Sequence, residues 1–393
     1  MGRHLSLVLA IALLAGLLGM DSALAQPPLG TLAQGTGTIT LSDAGWSDTT
    51  VGTWDADARL ATLSQDLTAG LRVEADNLTI DGAGHTIAGA GTGDGVYLDG
   101  RSGVTIRNLT VRRFARAFVL LACTEVTVTA STAGSSTYGY YLNNSASLCL
   151  LDGNTASDND YGFYLRTVSE ITLQGNVASG NRLRGYHVER SSMSVLSGNQ
   201  ALSNGQDGIY LQAAHYNNLD GNRSDGSGGY GLRMEACAGN TLHANTMSNN
   251  RLNLRIDGTA DNHYNHAVDE SNLLDGKAVI YRLDAPGQVI DAGSNASTVY
   301  LIRCPGSVIR DLTLTKTDVG VLLYDSAESR VENVQASNSG TGIRLFGSQN
   351  SVVSACTTSS NDYHGIWADS LSGATLTGNI TRQNRYYGIY LRA

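Results

Sequence analysis

Gly139-Tyr-Tyr-Leu142, Gly162-Phe-Tyr-Leu165, Gly185-Tyr-His-Val188, Gly208-Ile-Tyr-Leu211 and Gly231-Leu-Arg-Met234 are five copies of one short motif. Successive copies start about 23 residues apart. Between them lie short runs of alternating apolar and polar residues, separated by Gly, Asn, Asp and Ser, and none is long enough for an amphipathic helix. This stretch therefore predicts short strands that recur at a nearly fixed interval.

A unit of about 23 residues cannot bury its own apolar face, so successive units must stack. Within Gly162-Phe-Tyr-Leu-Arg166, alternation sends Phe163 and Leu165 to one face of the strand and the residues between them to the other. Parallel crossover connections are right-handed, and the Leu-rich consensus of leucine-rich repeats is absent. The sequence predicts an all-β fold, a single-stranded right-handed parallel β-helix (solenoid) with coils of about 22–23 residues.

Two columns of asparagine support this fold. Each Asn recurs at the same bend of the coil, where a short amide side chain tolerates unusual backbone angles and can bond to its neighbours above and below. We therefore predict two structural ladders. The first contains Asn154, Asn176, Asn199, Asn222 and Asn245, and the second contains Asn159, Asn181, Asn204 and Asn250.

The chain divides into three segments. Residues 1–25 have the basic start, the apolar stretch and the small-residue cleavage pattern of a secretory signal peptide. Residues 26–75 lack the repeat and are expected to form an N-terminal cap with the first strands. Residues 76–393 are expected to form the β-helix, with an irregular insertion at about 258–317. The alternative is two solenoid domains joined near residue 265, which the absence of a linker composition disfavours. The last coil has no cap, which predicts self-association through that coil, or a truncated natural C-terminus.

Composition restricts the function classes. The formal net charge is -9 and only 16% of residues are charged, which argues against nucleic acid as a partner. No stretch after the signal approaches the length of a transmembrane helix, so we expect an exported protein that is periplasmic, cell-surface or extracellular. An odd number of cysteines leaves at least one unpaired, and most are expected to be buried apolar fillers. They are Cys123, Cys149, Cys237, Cys304 and Cys356.

A column of mainly aromatic and basic side chains follows the inward apolar residue of each motif. Alternation predicts that this column faces solvent, where rings can stack on sugars while Arg and His bond to hydroxyls or acidic sugars. The predicted glycan-binding residues are Tyr97, Tyr141, Tyr164, His187, Tyr210, Arg233 and Arg255. After the irregular segment the column is expected to continue through Leu322, Arg344, Trp367 and Tyr390. Ordinary cross-strand stabilisation by tyrosine ladders is the alternative.

The neighbouring outward column supplies candidate catalytic groups. A polysaccharide hydrolase needs two carboxylates about 5 to 9 Å apart, and a lyase needs a base with a cation beside the uronate carboxylate. Glu235 and Asp257 are adjacent in this column, Glu189 lies two coils from Glu235, and Arg233 is close by in sequence. Such pairs also arise by chance on a polar solenoid face. A polysaccharide lyase, hydrolase or epimerase is therefore an alternative to a binding protein or an envelope scaffold.

Three stretches resemble NosD-type right-handed parallel β-helix proteins. They are Asp76-Asn-Leu-Thr-Ile-Asp-Gly-Ala-Gly-His-Thr-Ile87, the Gly-x-Tyr-Leu and Gly-Asn coils, and Asp269-Glu-Ser-Asn-Leu-Leu-Asp-Gly-Lys277 with Val279-Ile-Tyr281. The resemblance covers most of the mature chain and implies a β-helix fold. By analogy it implies either a copper-site accessory role toward nitrous oxide reductase or, through related β-helices, carbohydrate-active enzymes.

The resemblance makes calcium or copper conceivable cofactors, although the residues establish none. A Cu(I) site requires clustered Met, Cys or His, and Met193 and Met247 fall in different columns. The weak metal candidates are His243, His263 and His266, which lie in or near the irregular segment. Histidines of this kind are usually solvated surface residues. We therefore predict no metal site. The column of aromatic and basic side chains makes a polysaccharide or glycan surface the expected partner.

Overall fold

A computed structural model describes residues 38–392 of the chain. The predicted signal peptide, residues 1–25, lies outside these residues. The regular secondary structure of the described part is almost entirely β-strand, and the chain is wound into about 14 turns of about 23 residues each. This confirms the predicted parallel β-helix. No helix within residues 38–392 is long and apolar enough to cross a membrane.

One coil contains three short strands that turn sharply into one another. The coil that starts at Tyr161–Arg166 continues with Thr172–Gln174 and Val177–Ser179, and the next coil starts at Arg184–Glu189. Equivalent strands pair in parallel and in register, with Phe163 opposite Tyr186. Each motif thus adds one strand to each of three sheets.

Two of the sheets have eleven strands each. Sheet 1 contains Ile39–Ser42, Gly45–Trp46, Leu71–Val73, Asp94–Asp99, Arg116–Leu121, Tyr138–Asn143, Tyr161–Arg166, Arg184–Glu189, Ile209–Gln212, Tyr230–Glu235 and Leu252–Asp257. Sheet 2 contains Gly52–Asp55, Leu60–Leu63, Thr79–Asp81, Thr105–Arg107, Thr127–Thr129, Leu150–Asp152, Thr172–Gln174, Val195–Ser197, Asn218–Asp220, Thr241–His243 and Ala267–Val268. The motif strands with the Gly-apolar-x-Leu pattern, from Asp94 to Asp257, all belong to sheet 1.

Three further sheets complete the fold, together with two short 3-10 helices, Asp261–Tyr264 and Ala292–Ser294. Sheet 3 has fifteen strands, Thr86–Ala88, Thr110–Arg112, Thr132–Gly134, Thr155–Ser157, Val177–Ser179, Gln200–Leu202, Arg223–Asp225, Thr246–Ser248, Leu273–Leu274, Lys277–Leu283, Ala296–Ile302, Val319–Tyr324, Thr341–Phe346, His364–Asp369 and Tyr387–Arg392. Sheet 4 contains Val289–Ile290, Val308–Arg310, Arg330–Glu332, Val352–Ser354 and Thr375–Thr377, and sheet 5 contains Thr313–Thr315, Gln335–Ser337, Thr357–Ser359 and Ile380–Arg382.

The first asparagine ladder forms as predicted, and the second is continuous from Asn159 to Asn204, after which Ser227 separates Asn204 from Asn250. Asn176 shows the pattern: its side-chain amide donates to the Asn199 Oδ1 at 3.0 Å and to the Leu151 carbonyl at 2.8 Å. Its own Oδ1 accepts from the Asn154 amide at 3.1 Å. Because each Asn of the first ladder is buried and bonded both above and below, this ladder holds the bends of successive coils in register.

The coils form two stacks rather than one uninterrupted column. Residues 39–274 form the first stack, and residues 277–392 form the second. The chain reverses between them, because Leu273–Leu274 pairs antiparallel with Lys277–Leu283. Each stack has its own hydrophobic core. Tyr300 and Leu322, on the outer face of the second stack, pack into the core of the first and close its end.

This reversal shows that one prediction was wrong, namely that the column of predicted glycan-binding residues continues on the same sheet after the irregular segment. Leu322, Arg344, Trp367 and Tyr390 do align with one another, but in sheet 3 and not in sheet 1. The antiparallel hairpin adds the later motif strands to sheet 3, so the column does not continue on the same sheet. Sequence spacing alone cannot reveal this, because the motif itself resumes unchanged.

Candidate functional site

The outer face of sheet 1 carries the predicted ligand-binding residues. Tyr140, Phe163 and Tyr186 point into the core, whereas Tyr141 and Tyr164 form a separate cluster on the other side of the sheet. The aligned side chains on that side form what we call the central column, Tyr97, Val119, Tyr141, Tyr164, His187, Tyr210, Arg233 and Arg255. Alternation therefore assigned the correct face of each strand.

The expected solvent exposure of this column is not found at its centre. Tyr141, Tyr164, His187 and Tyr210 have only 5%, 6%, 5% and 3% of their surface exposed. Tyr141 stacks on Tyr164 at 5.7 Å between ring centroids, and His187 stacks on Tyr210 at 4.9 Å. Tyr138 and Tyr161, from the next position on the same face, pack against this cluster. These rings are thus buried on the outside of the sheet, a layer that period-2 alternation does not anticipate.

Three tyrosine hydroxyls of the central column bind carboxylates, and two of these carboxylates are candidate catalytic groups. Tyr164 Oη donates to Glu189 at 2.5 Å, and Tyr210 Oη donates to Glu235 at 2.7 Å. Burial and these carboxylates raise the pKa of both tyrosines, so both hydroxyls remain protonated donors. The candidate catalytic carboxylates Glu189 and Glu235 therefore each accept a hydrogen bond from a buried tyrosine.

The structure brings three of the four candidate catalytic residues together. Arg233 Nη2 lies 2.6 Å from Glu235 Oε1, and Asp257 is opposite Glu235 on the next strand. Glu189 lies two strands away from Glu235, as expected, because Gln212 pairs with both. Arg233, Glu235 and Asp257 thus form one contiguous group, with Glu189 outside it.

Asp257 is held as a carboxylate by two guanidinium groups. Burial opposes its ionisation, but Arg344 and Arg255 outweigh this effect and hold the pKa of the carboxyl below its usual value. Arg344 Nη1 is 3.2 Å from Asp257 Oδ1, and Arg255 Nη2 is 3.0 Å from Asp257 Oδ2. A general acid requires a raised pKa, so this carboxyl is suited to charge balance rather than to proton donation.

The same group extends into a longer array that joins both stacks. Arg255 also approaches Glu235 at 3.3 Å and Asp318 at 3.6 Å, and Asp207 lies between Arg184 at 3.4 Å and Arg233 at 3.5 Å. We call this array the polar row. It contains Arg184, Asp207, Arg233, Glu235, Arg255, Asp257, Asp318 and Arg344. Their side chains are 4–26% exposed, and four guanidinium groups face four carboxylates.

Sequence reasoning missed three residues of the polar row. Arg184, Asp207 and Asp318 were not predicted at all, and Arg344 was predicted only as part of the continued column, not as a neighbour of Asp257. Arg184 and Asp207 directly precede the motif Gly in sequence, and their side chains reach the guanidinium of Arg233 or its neighbours on the outer face. Asp318 and Arg344 come from the second stack, and only the chain reversal brings them to Arg255 and Asp257. The position before each Gly was a detectable signal, whereas the contacts between the stacks were not.

A second cluster of rings lies on the outer face of the last two coils. We call it the aromatic platform, and it consists of Tyr363, His364, Trp367, Tyr386, Tyr387 and Tyr390. His364 stacks on Tyr390 at 4.9 Å, and Tyr363 stacks on Tyr386 at 6.0 Å. The guanidinium of Arg344 lies 4.4 Å from the Trp367 ring, which joins the platform to the polar row.

The weak metal candidates do not converge. His243 Nδ1 lies 2.6 Å from Asp269 on an exposed surface, whereas His266 is buried with both ring nitrogens hydrogen-bonded. The ring of His263 accepts from the backbone of its own turn, at Thr259 and Ala260. Within residues 38–392 no three His, Cys, Asp or Glu side chains are grouped as a metal site.

The sulfur ligands that copper would require are also dispersed. The five cysteines are buried and unpaired, as expected for apolar fillers. Burial raises the pKa of Cys123 and Cys237 to about 12, so these thiols stay protonated and are poor ligands. Met234 and Met247 are core residues, and Met193 is exposed. The described side chains therefore do not fit a copper site.

Solved structures with the same general architecture are distant from this chain. The A-module of the mannuronan C-5 epimerase AlgE4 of Azotobacter vinelandii is 14% identical over 90% of this chain and 91% of its own, with a TM-score of 0.43. The catalytic unit of a GH87 alpha-1,3-glucanase from Streptomyces thermodiastaticus is 13% identical over 89% and 70%, with a TM-score of 0.41. At these values the likeness carries no functional argument.

Sequence comparison with families is more specific. No curated protein sequence matches the chain. The family model described as periplasmic copper-binding protein (NosD) matches residues 76–280 and 271–393, which together span both coil stacks. The match includes the three stretches that suggested this family. On this evidence the chain belongs to the NosD family.

Proposed function

We propose that the protein is an exported carbohydrate-binding β-helix whose ligand chain lies on the polar row. The observation that carries this proposal is the row itself, in which partly exposed guanidinium and carboxylate groups recur along several consecutive coils. Sugar hydroxyls both donate and accept, so they can bond to either group without disrupting the pairing. An extended row of this kind suits a chain ligand better than a compact one.

The charge balance of the row favours an uncharged or weakly charged glycan. Its four guanidinium groups are matched by four carboxylates, so a polyanion would leave carboxylates without partners. The net charge of -9 adds long-range repulsion for anionic chains. The acidic sugars allowed by the sequence are thus less suitable ligands than neutral ones.

Export follows from the proposal that residues 1–25 are a signal peptide, and it agrees with the periplasmic description of the family. A periplasmic or cell-surface location would give the polar row access to envelope polysaccharides. A purely structural role as an envelope scaffold is the competing proposal, since paired charges also stabilise a sheet surface. The two proposals differ in whether removing one charge from the row changes glycan retention.

Catalysis is a second candidate function, and the adjacency of Arg233, Glu235 and Asp257 favours it. Two neighbouring carboxylates are the arrangement that glycoside hydrolysis uses. Because its lowered pKa makes Asp257 unsuited to proton donation, Glu235 is the carboxyl of this pair that could act as a general acid. An enzyme would release shorter products from a retained polysaccharide, and a binding protein would not.

The test is a glycan array and a polysaccharide depolymerisation screen on the secreted full-length chain, followed by copper titration. Glu235→Gln removes one charge from the polar row, and Glu125→Gln is a matched control at an exposed turn. We expect retention of neutral glycans, weakened by Glu235→Gln and unchanged by Glu125→Gln. Retention that is identical in all three proteins would refute the role of the row. Stoichiometric copper uptake without glycan binding would favour the accessory role.

A further inference from the structure

We infer that the aromatic platform of the second stack is a stacking subsite for the same glycan chain, so that one ligand spans both stacks. The inference rests on the proposed glycan binding and adds a second contact surface about which the sequence comparisons say nothing. It specifies a neutral chain ligand long enough to leave the polar row and reach the last two coils.

The platform is exposed where the central column is buried. Tyr363, Tyr386 and Tyr387 have 41%, 47% and 56% of their surface exposed, against 3–6% for the four buried rings of sheet 1. Rings with this much accessible area can lie flat against the apolar face of a sugar. A stacking surface is therefore available on the second stack that the first stack lacks.

The exposure of the platform is not simply that of an open coil end. Ile389 and Leu391 continue the inward columns of Ile366 and Ala368, and they are exposed because no further coil covers them within the described residues. Tyr363 belongs to the preceding coil, and it remains 41% exposed although Tyr386 stacks on it. The exposure of Tyr363 is therefore not caused by the absence of a further coil.

The composition of the platform fits a hydroxylated partner. Four of its six rings are tyrosines, which combine an apolar face with a hydroxyl that can donate or accept. The guanidinium of Arg385 lies 5.8 Å from the Tyr386 ring and adds further donors. Beneath the surface, Trp367 Nε1 and His364 Nδ1 have no hydrogen-bond partner within residues 38–392, a cost that a purely structural cluster would avoid.

One side chain links the platform to the polar row. Arg344 contacts Asp257 at 3.2 Å and lies 4.4 Å from the Trp367 ring. A ligand on the row at Asp257 therefore meets the platform without crossing an unrelated surface. Two linked contacts on one chain act as a bivalent site, so affinity should rise with chain length.

The test compares short and long oligosaccharides of a glycan that the wild-type protein retains. The variant combines Tyr386→Ala with Tyr387→Ala, and the conservative variant combines Tyr386→Phe with Tyr387→Phe. Tyr216→Ala is the matched control, because Tyr216 is 69% exposed and lies away from both surfaces. We expect the alanine variant to weaken binding of long chains about tenfold or more and the phenylalanine variant, which keeps the stacking faces, to weaken it much less, with short chains and the control unchanged.

The outcomes separate this inference from the proposed function. If Glu235→Gln weakens binding but the alanine variant does not, the platform is not a subsite while the polar row still is. If the wild type binds no glycan, both proposals are wrong. If the alanine variant changes only the sedimentation coefficient, the platform is an interface between two copies, and the inference is also overturned.

Discussion

Arg344 donates to Asp257 across the boundary between the two coil stacks, with 3.2 Å between Nη1 and Oδ1. The two residues are 87 positions apart in the chain. Tyr264 also donates to Asp257, at 3.1 Å, so the carboxylate is held by groups from three parts of the structure. Both stacks therefore contribute residues to the polar row, and the chain reversal brings these residues together.

Arg344→Met should lower stability at neutral pH by about 1–3 kcal/mol, because it leaves a partly buried carboxylate with one guanidinium instead of two. The folded-state pKa of Asp257 is lowered, so its contribution is present above the unfolded-state pKa and is lost as pH falls through the folded value. Wild type and variant should therefore converge in urea stability as pH falls through the folded-state pKa of Asp257, which lies below its usual value. A difference that stays constant from pH 7 down to the acid limit of folding would show that Asp257 is not the partner that matters.

Asn176→Ala should destabilise the first stack by about 1–3 kcal/mol, because it removes both ladder contacts and leaves the Leu151 carbonyl without its donor. Asn218→Ala is the control, since Asn218 lies on the exposed face of a strand in sheet 2. Thermal unfolding followed by circular dichroism measures both. A loss no larger than that of the control would mean that the ladder does not stabilise the bends.

The five thiols should not react with an aromatic disulfide reagent in the folded protein. All are buried, and burial raises the pKa of each. Five equivalents should react after denaturation in guanidinium chloride. Fast reaction of one thiol in the native state would reveal an accessible cysteine and would reopen the question of a sulfur-based metal site.

The repeat made the fold predictable, because each copy of the motif shows the alternation, the bends and the asparagine ladder again. Phe163 and Leu165 were assigned to the core from alternation alone, and both are fully buried. The site was less predictable, since alternation indicates only which face a side chain occupies. It does not show that Tyr138 and Tyr161 form a further layer against Tyr164.

The contacts between the stacks had no sequence signal at all. Arg255 and Asp318 are neighbours only because Lys277–Leu283 reverses against Leu273–Leu274 and sends the later motif strands into sheet 3. The motif spacing before and after this hairpin is the same, so the sequence favoured one stack with an irregular insertion. The contacts between the stacks depend on one irregular turn, which a periodic sequence pattern does not predict.

The sequence predicts that Tyr210 is exposed, whereas the structure shows it buried in the central column, and mutation of this residue tests the difference directly. If Tyr210 were an exposed ligand contact, Tyr210→Ala would cost little stability. Because the ring is 3% exposed, stacks on His187 and bonds to Glu235, we expect a loss of about 3–5 kcal/mol. Tyr210→Phe keeps the ring and should lose only about 1–2 kcal/mol for the hydroxyl contact. Urea titration of both variants distinguishes the cases, and a cost below about 1 kcal/mol for Tyr210→Ala would indicate that this part of the central column is exposed, as the sequence predicted.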